Sequence, residues 1–210
     1  MNNRQNKERR FWDRSANFYD SFINIVFRKT YKTILENIDL ELNINQTVLE
    51  IGTGTGIIPF GISSKVSSIV ATDISPDMIR VAINKQANLN IRNIHFEVQN
   101  CYNLTFPDKS FDIAIAANLL HLLYEPEKAI AEVKRVLKDN GIFIAPTLCV
   151  GDNMKSKVIA TIAGKISGFR IFNKWSIHGF KIALTNNGLN ITKAFKIDDR
   201  FPFAFVVITK

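Results

Sequence analysis

The stretch that most constrains this chain runs from Thr47 to Asp73 and reads TVLEIGTGTGIIPFGISSKVSSIVATD. Val48, Leu49 and Ile51 form a short apolar run. Gly52, Gly54 and Gly56 follow at every second position before a helix-like segment begins. The pattern predicts a strand entering a glycine-rich turn. Glycine permits positive φ there, and without a Cβ it lets a ligand approach the main chain. A ligand site is the simplest reason for three of them.

What the turn lacks narrows the ligand. A phosphate-gripping P-loop ends in Gly-Lys-Ser/Thr, whereas Gly56 is followed by Ile57 and Ile58. A dinucleotide fingerprint, G-x-G-x-x-G, wants a small residue where Ile57 stands. Glu50 just before the turn would repel phosphates and suits a ligand bearing positive charge. A second strand, 68–72, ends in Asp73, about twenty residues after the first glycine, the usual place for a carboxylate that accepts from ribose hydroxyls. Together these residues predict a nucleoside with a cationic, phosphate-free tail.

EIGTGTG followed by ATDIS resembles the first two motifs of the class I S-adenosylmethionine-dependent methyltransferases. FPDKSFDIAIAANLLHLL and EVKRVLKDNGIFI resemble later segments of the small-molecule branch, methyltransferase type 11, which includes the ubiquinone/menaquinone-type enzymes. The match covers roughly residues 46–146, with several motifs in order. It implies a Rossmann-like α/β fold: a mostly parallel seven-stranded sheet with an antiparallel last strand and helices on both faces. It also implies S-adenosyl-L-methionine as cofactor, S-adenosyl-L-homocysteine as product, and Glu50, Gly52, Thr53, Gly54, Gly56, Asp73 and Ile74 as the cofactor cradle. In the family an apolar side chain packs on adenine where Met78 stands, although Met78 also reads as an ordinary core methionine. Where the family has Gly-Asp-Ala this chain has Gln99, Asn100 and Cys101. Asn100 can still accept the adenine N–H through its carbonyl oxygen, without charge. Cys101 is near the cofactor by position only.

The 210 residues, 46% of them hydrophobic, suit one domain. We expect residues 1–45 to form a helical cap, 46–150 the cofactor half, and 151–210 a lid, a helix and a closing strand pair. The start MNNRQNKERR is polar and lacks a secretory apolar core, so a soluble cytoplasmic protein is expected. Cys101 and Cys149 match no metal or redox spacing, and no metal is expected. The net charge of +8 is uneven: residues 1–46 contribute +2, 47–150 contribute −1 and 151–210 contribute +7.

Residues 8–37 read as one or two amphipathic helices, with an aromatic stripe through Phe11, Trp12, Phe18, Tyr19 and Phe22. The resemblance places such a segment over the cofactor pocket and puts Tyr19 on the active site. A helix over 55–65 carries Pro59 in its first turn. Ser75 caps a second helix that starts at Pro76 and runs to about residue 88. Strands are expected at 94–98 and 111–117, the latter ending at Asn118, followed by a helix over 126–138 and a strand over 142–147. Ligands of open α/β sheets collect at the carboxyl ends of the strands, which gathers Gly52 to Gly56, Asp73, Asn100 and the 118–121 segment on one edge. Met154, Val158, Ile159, Ile162, Ile166 and Phe169 stand at helical spacing among Lys155, Lys157 and Lys165. That segment reads either as a solvated outer face or as a basic amphipathic lid on an anionic surface. A helix over 175–187 ended by Gly188, and strands over 191–197 and 201–209, close the chain.

Methyl transfer from a sulfonium expels a neutral thioether, so no protein nucleophile is needed, and alignment can supply most of the rate. A base is required only where the acceptor holds its proton. His121, just past the fourth strand, is the candidate base, or part of the pocket wall as in the family; His95 and His178 read as structural. The favoured function is methylation of a small, apolar or lipid-like acceptor. A dinucleotide-dependent oxidoreductase and a nucleoside-binding module without turnover are the alternatives. Nucleic acid is disfavoured as acceptor, since no Asn/Asp-Pro-Pro-Tyr-type motif is present. A peripheral contact with an anionic membrane is a further expectation, and the oligomeric state is not readable.

Overall fold

The structure, a computed structural model, describes residues 3–152, 154, 158 and 170–210. The chain opens with α1 (Asn3–Val26) and α2 (Arg28–Asp39). Phe27 breaks the two helices apart at φ −126° and buries its ring against Phe201 and Phe203, centroids 5.8 and 5.7 Å away. The new helix start is satisfied from far along the chain, because Asp199 accepts from both the N–H and the hydroxyl of Thr30 at 3.2 and 2.7 Å. Side-chain acceptors at a helix N-terminus replace missing backbone partners, so this contact also fixes the helical pair on the C-terminal strands.

The core alternates strand and helix: β1 (Thr47–Ile51), α3 (Ile57–Ile62), β2 (Ser68–Asp73), α4 (Pro76–Leu89), β3 (Ile94–Val98), β4 (Phe111–Ile115), α5 (Pro126–Val136) and β5 (Leu137–Ile144). The two-residue β6 (Thr147–Leu148), then α6 (Ile177–Asn186), β7 (Asn190–Ile197) and β8 (Phe203–Thr209) complete it. Neighbouring strands run β3-β2-β1-β4-β5-β8. The first four pairings are parallel, while β8 is antiparallel to both β5 and β7. Parallel order with the crossover between β1 and β4 creates a switch point, the standard place for a ligand crevice.

Strand residues alternate between two cores, as the period of two demands. Val48, Ile69, Ala71, Ile113 and Ile115 meet Ile34 and Ile38 of α2, Ile58 and Ile62 of α3, and Ile79 and Ala82 of α4. Leu49, Ile51, Ala114 and Phe143 face the other way, onto Ile130 and Val133 of α5 and Phe180 and Leu184 of α6. The sheet is thus covered on both faces.

Several boundaries depart from expectation: β4, expected over 111–117, ends at Ile115, and the last strand, expected over 201–209, starts at Phe203. The helix expected over 126–138 stops at Val136, and Leu137 already pairs with Phe111, so Lys138 lies in a strand and binds Asp112 at 2.6 Å. The strand expected over 142–147 is split at Pro146, which has no N–H for the ladder. Its second piece, β6, continues against β8 as an eighth strand among the described residues. The helix expected over 55–65 begins only at Ile57, because Gly56 holds φ at +82°. Of the basic amphipathic segment, Met154 and Val158 are exposed; Ile159, Ile162, Ile166, Phe169, Lys155, Lys157 and Lys165 lie outside the described residues. No described helix is long and apolar enough to cross a membrane.

Candidate functional site

The glycine turn has the conformation its sequence requires. Gly52 and Gly54 sit at φ +69° and +56°, and a Cβ built on Gly52 would lie 2.7 Å from Leu119 Cδ1. A Cβ on Gly54 would point at the Tyr19 ring, 3.4 Å from Cε1. Asp73, at the end of β2, locks the turn: its carboxylate accepts from the Gly54 N–H at 2.8 Å and from the Ser75 N–H at 2.9 Å. Ser75 in turn caps α4 by accepting from the Met78 N–H at 3.1 Å. One carboxylate therefore organises both the loop after β1 and the helix after β2.

The N-terminal helix closes over this loop. Asp13 accepts from the Ser75 hydroxyl at 2.6 Å. Asp20 accepts from the Thr55 hydroxyl and binds Lys85 at 2.7 Å, and Lys85 also reaches the Thr55 carbonyl at 2.8 Å. Neither aspartate was singled out from the sequence, since each reads as a solvated position on an amphipathic helix. Tyr19 lies between them in sequence. Its hydroxyl adjoins that of Tyr31, which in turn adjoins the Asn118 side chain. Burial drives the Tyr19 hydroxyl well above its usual titration range and the Tyr31 hydroxyl up to about 12, so both are neutral donors near pH 7.

These elements enclose a cavity of about 750 Å³. One wall is the strand edge, with Gly52, Gly54, Asp73, Ile74, Met78, Asn100, Cys101 and Asn118. The opposite wall is α1, including Arg4, Lys7, Phe11, Trp12, Arg14 and Tyr19, joined by Arg170 and Phe172. Residues distant in sequence thus meet on one surface. Asn118 is held at φ +55° with its Oδ1 buried and unpartnered, an acceptor available to a ligand. The Asn100 Oδ1 already accepts from the Tyr102 N–H at 3.1 Å, which leaves it one lone pair for an adenine amino group. The Cys101 thiol, pushed up to about 12 by burial, is a neutral wall group.

Four expected residues stand off the cavity surface. Thr53 and Gly56 shape the turn from behind, and Glu50 is buried beneath it, accepting from the Thr53 hydroxyl at 2.5 Å. Burial raises the Glu50 carboxyl to about 8 and that of Asp73 to about 6; the Asp73 charge raises Glu50 further, and the Asp13 charge raises Asp73. His121 is fully buried, lies outside the cavity lining, and has no hydrogen-bond partner on either ring nitrogen. Burial lowers its imidazole to about 3, so the ring is neutral. Its backbone carbonyl accepts from the N–H groups of Phe172 and Asn173 at 3.1 and 3.0 Å, holding that segment against the cavity. Missed from the sequence were Tyr31, behind Tyr19, and the cavity-lining Arg4, Arg14 and Arg170; Arg4 and Arg14 reach the cavity because α1 docks over it.

The profile of a family described as a methyltransferase domain matches residues 42–175, about two thirds of the chain and the whole β1–β6 region. The chain belongs to the methyltransferase-domain family. It is 33% identical over 104 residues to the methyltransferase YcgJ of Bacillus subtilis, covering 50% of this chain and 41% of that protein. It is 34% identical over 109 residues to a ubiquinone/menaquinone biosynthesis C-methyltransferase of Rickettsia bellii, covering 49% of this chain and 44% of that protein. The matches therefore span less than half the length of these curated relatives. Among solved structures, a SAM-dependent methyltransferase from Aquifex aeolicus superposes with a TM-score of 0.67 at 21% identity, covering 83% of this chain and 88% of that one. In this methyltransferase domain the glycine turn, Asp73 and the strand-end asparagines occupy the crevice at the β1/β4 switch point.

Proposed function

We propose that this chain is an S-adenosylmethionine-dependent methyltransferase acting on a small acceptor with a substantial apolar part. The observation that carries the reading is the cavity wall formed by Gly54, Asp73 and Asn118 above the buried Glu50. Asp73 uses its carboxylate on two backbone N–H groups and retains lone pairs for ribose hydroxyls. Gly54, with no Cβ, leaves room between the turn and Tyr19. Buried Glu50 and Asp73 form no ion pair among the described residues, and their acidic floor favours a ligand that carries a cation.

When bound, the cofactor supplies a methyl group on a sulfonium, and its transfer releases a neutral thioether. The chain's part is to align and to exclude water. Phe11, Trp12, Leu119, Leu122 and Phe172 supply an apolar wall for the acceptor. Tyr19, beside Tyr31, orients a polar atom at the cavity through its hydroxyl. It is the candidate we retain for a direct role in the reaction. His121 lies behind the wall, and we assign it the positioning of the 172–173 segment instead of proton transfer.

Calorimetric titration tests the cofactor: S-adenosylmethionine and S-adenosylhomocysteine are expected to bind and NAD to give no heat, and the reverse result would overturn the reading. A radiolabelled methyl-transfer screen over lipid, quinone and amine pools then identifies the acceptor.

A further inference from the structure

The proposed reaction uses the α1 side chains that line the cavity and leaves unexplained the exposed row that continues along the helix beyond them, opposite its core contacts. At 3.6 residues per turn, Lys7, Arg14, Phe18, Phe22 and Ile25 fall within roughly 80° of the helix circumference. All five are exposed; Phe18, Phe22 and Ile25 keep 74, 52 and 76% of their surface in solvent. Large apolar side chains this exposed stand in a row on a helix whose other side already carries its core contacts through Ala16 and Ile23; only Phe22 of the three adds a ring contact to the core, 5.9 Å from Phe27. Arg10 precedes the row on nearly the same side, and exposed Arg28 and Lys29 follow it at the break into α2.

Charge decides what covers the row. The acids of α1 are already engaged: Asp13 is bound to Ser75, Asp20 to Thr55 and Lys85, and Glu8, beside the row, is paired with Arg4. The outward face is therefore apolar in the middle and cationic at both ends. A protein interface core is depleted in Lys and rimmed by both signs of charge, whereas phenylalanines flanked by Lys and Arg on the polar margin suit the headgroup boundary of a bilayer. Anionic headgroups attract such margins, and the attraction fades within a Debye length.

We propose that the outer face of α1 docks on an anionic lipid surface, with Phe18, Phe22 and Ile25 inserted and Arg10, Arg28 and Lys29 on the headgroups. Lys7 and Arg14 belong both to this face and to the cavity lining, so docking sets the α1 wall of the cavity beside the bilayer. The docking itself does not depend on the proposed methyl transfer. Only the corollary that a membrane-held acceptor enters past Lys7 and Arg14 rests on that reading.

The test is co-sedimentation of the full chain, without cofactor, with vesicles of phosphatidylglycerol and phosphatidylcholine or of phosphatidylcholine alone. Binding is expected on the anionic vesicles, weakened by salt, and absent on the neutral ones. A Phe18→Ser/Phe22→Ser/Ile25→Ser variant should lose at least about tenfold in vesicle affinity through lost apolar burial. An Arg10→Gln/Arg28→Gln/Lys29→Gln variant should lose about as much through lost charge. Both should keep wild-type affinity for S-adenosylhomocysteine, a readout that separates failure of docking from misfolding and from failure of the cofactor assignment. The proposal is overturned if the wild type stays in the supernatant with anionic vesicles, or if the serine variant pellets like the wild type. A wild-type dimer in sedimentation velocity that the serine variant abolishes, with no vesicle binding, would make the row a self-association surface and equally overturn it.

Discussion

Gly54 carries two demands at once, a left-handed φ of +56° and the absence of a side chain facing Tyr19. Ala at that position costs about 1–2 kcal/mol for the backbone conformation and narrows the cofactor space. Gly54→Ala should therefore weaken S-adenosylhomocysteine binding more than its loss of stability in urea would suggest. Gly52→Ala carries the same left-handed cost at φ +69°, and its Cβ, 2.7 Å from Leu119 Cδ1, displaces the end of that cavity-wall side chain as well. Glu50 yields a prediction in pH. Its folded carboxyl titrates near 8, against 4.5 as an ordinary carboxyl, so between those values the folded chain keeps a proton that the unfolded chain releases. Stability must fall as pH rises through this window. Asp73 adds to the fall up to about 6, whereas His121, lowered to about 3 from 6.5, makes stability rise up to about 6.5. Above about 6.5 Glu50 alone of the three is titrating, and the slope there should approach 1 kcal/mol per pH unit. Urea unfolding across about pH 6.5 to 8 measures it, and Glu50→Gln should flatten it. A slope unchanged in that variant would remove Glu50 as its source.

At the scale of elements, α1 is held to the nucleotide loop by two carboxylates and not by apolar contact alone. Asp20→Ala removes the acceptor of Thr55 and the partner of Lys85 in one change. Because Thr55 is fully buried, its hydroxyl is then left without that partner, at a cost of about 1–3 kcal/mol. Hydrogen exchange should show faster opening of α1 while the strands keep their protection, together with weaker cofactor binding, since Tyr19 rides on the same helix. Tyr19→Phe is the finer probe: it keeps the ring above Gly54 and removes only the hydroxyl that adjoins Tyr31. The expected outcome is near wild-type affinity for S-adenosylhomocysteine with reduced methyl transfer, measured once an acceptor is in hand. Equal turnover in the two proteins would take Tyr19 out of the reaction.

For the whole molecule, a ligand that binds only the folded chain raises its melting temperature by mass action. If the proposed site takes S-adenosylhomocysteine, its ammonium group meets the field of the buried Glu50, so its stabilisation should grow from about pH 6 to 8 as Glu50 ionises. Thermal unfolding with and without the ligand reads this directly.

Much of the molecule was already legible in the chain. Apolar runs at Val48–Ile51 and 111–117, the Ser75-Pro76 helix start and the Gly-x-Gly-x-Gly turn each carry a local signal, because backbone conformation and the period of burial are properties of a few adjacent residues. So β1, β2, β3 and α4 stand where the sequence puts them, and the cavity contains Gly52, Gly54, Asp73, Ile74, Met78, Asn100, Cys101 and Asn118 together. The placement of His121, the burial of Glu50 behind Thr53, and the clamps of Asp13 and Asp20 carry no such signal. Each depends on which side chain another element brings near it. A helical period reveals that α1 has two faces, but only packing decides that its aspartates turn inward and that Phe18 and Phe22 turn outward. That choice is a sum of contacts between segments far apart in the chain, made when α1 closes over the strand edge.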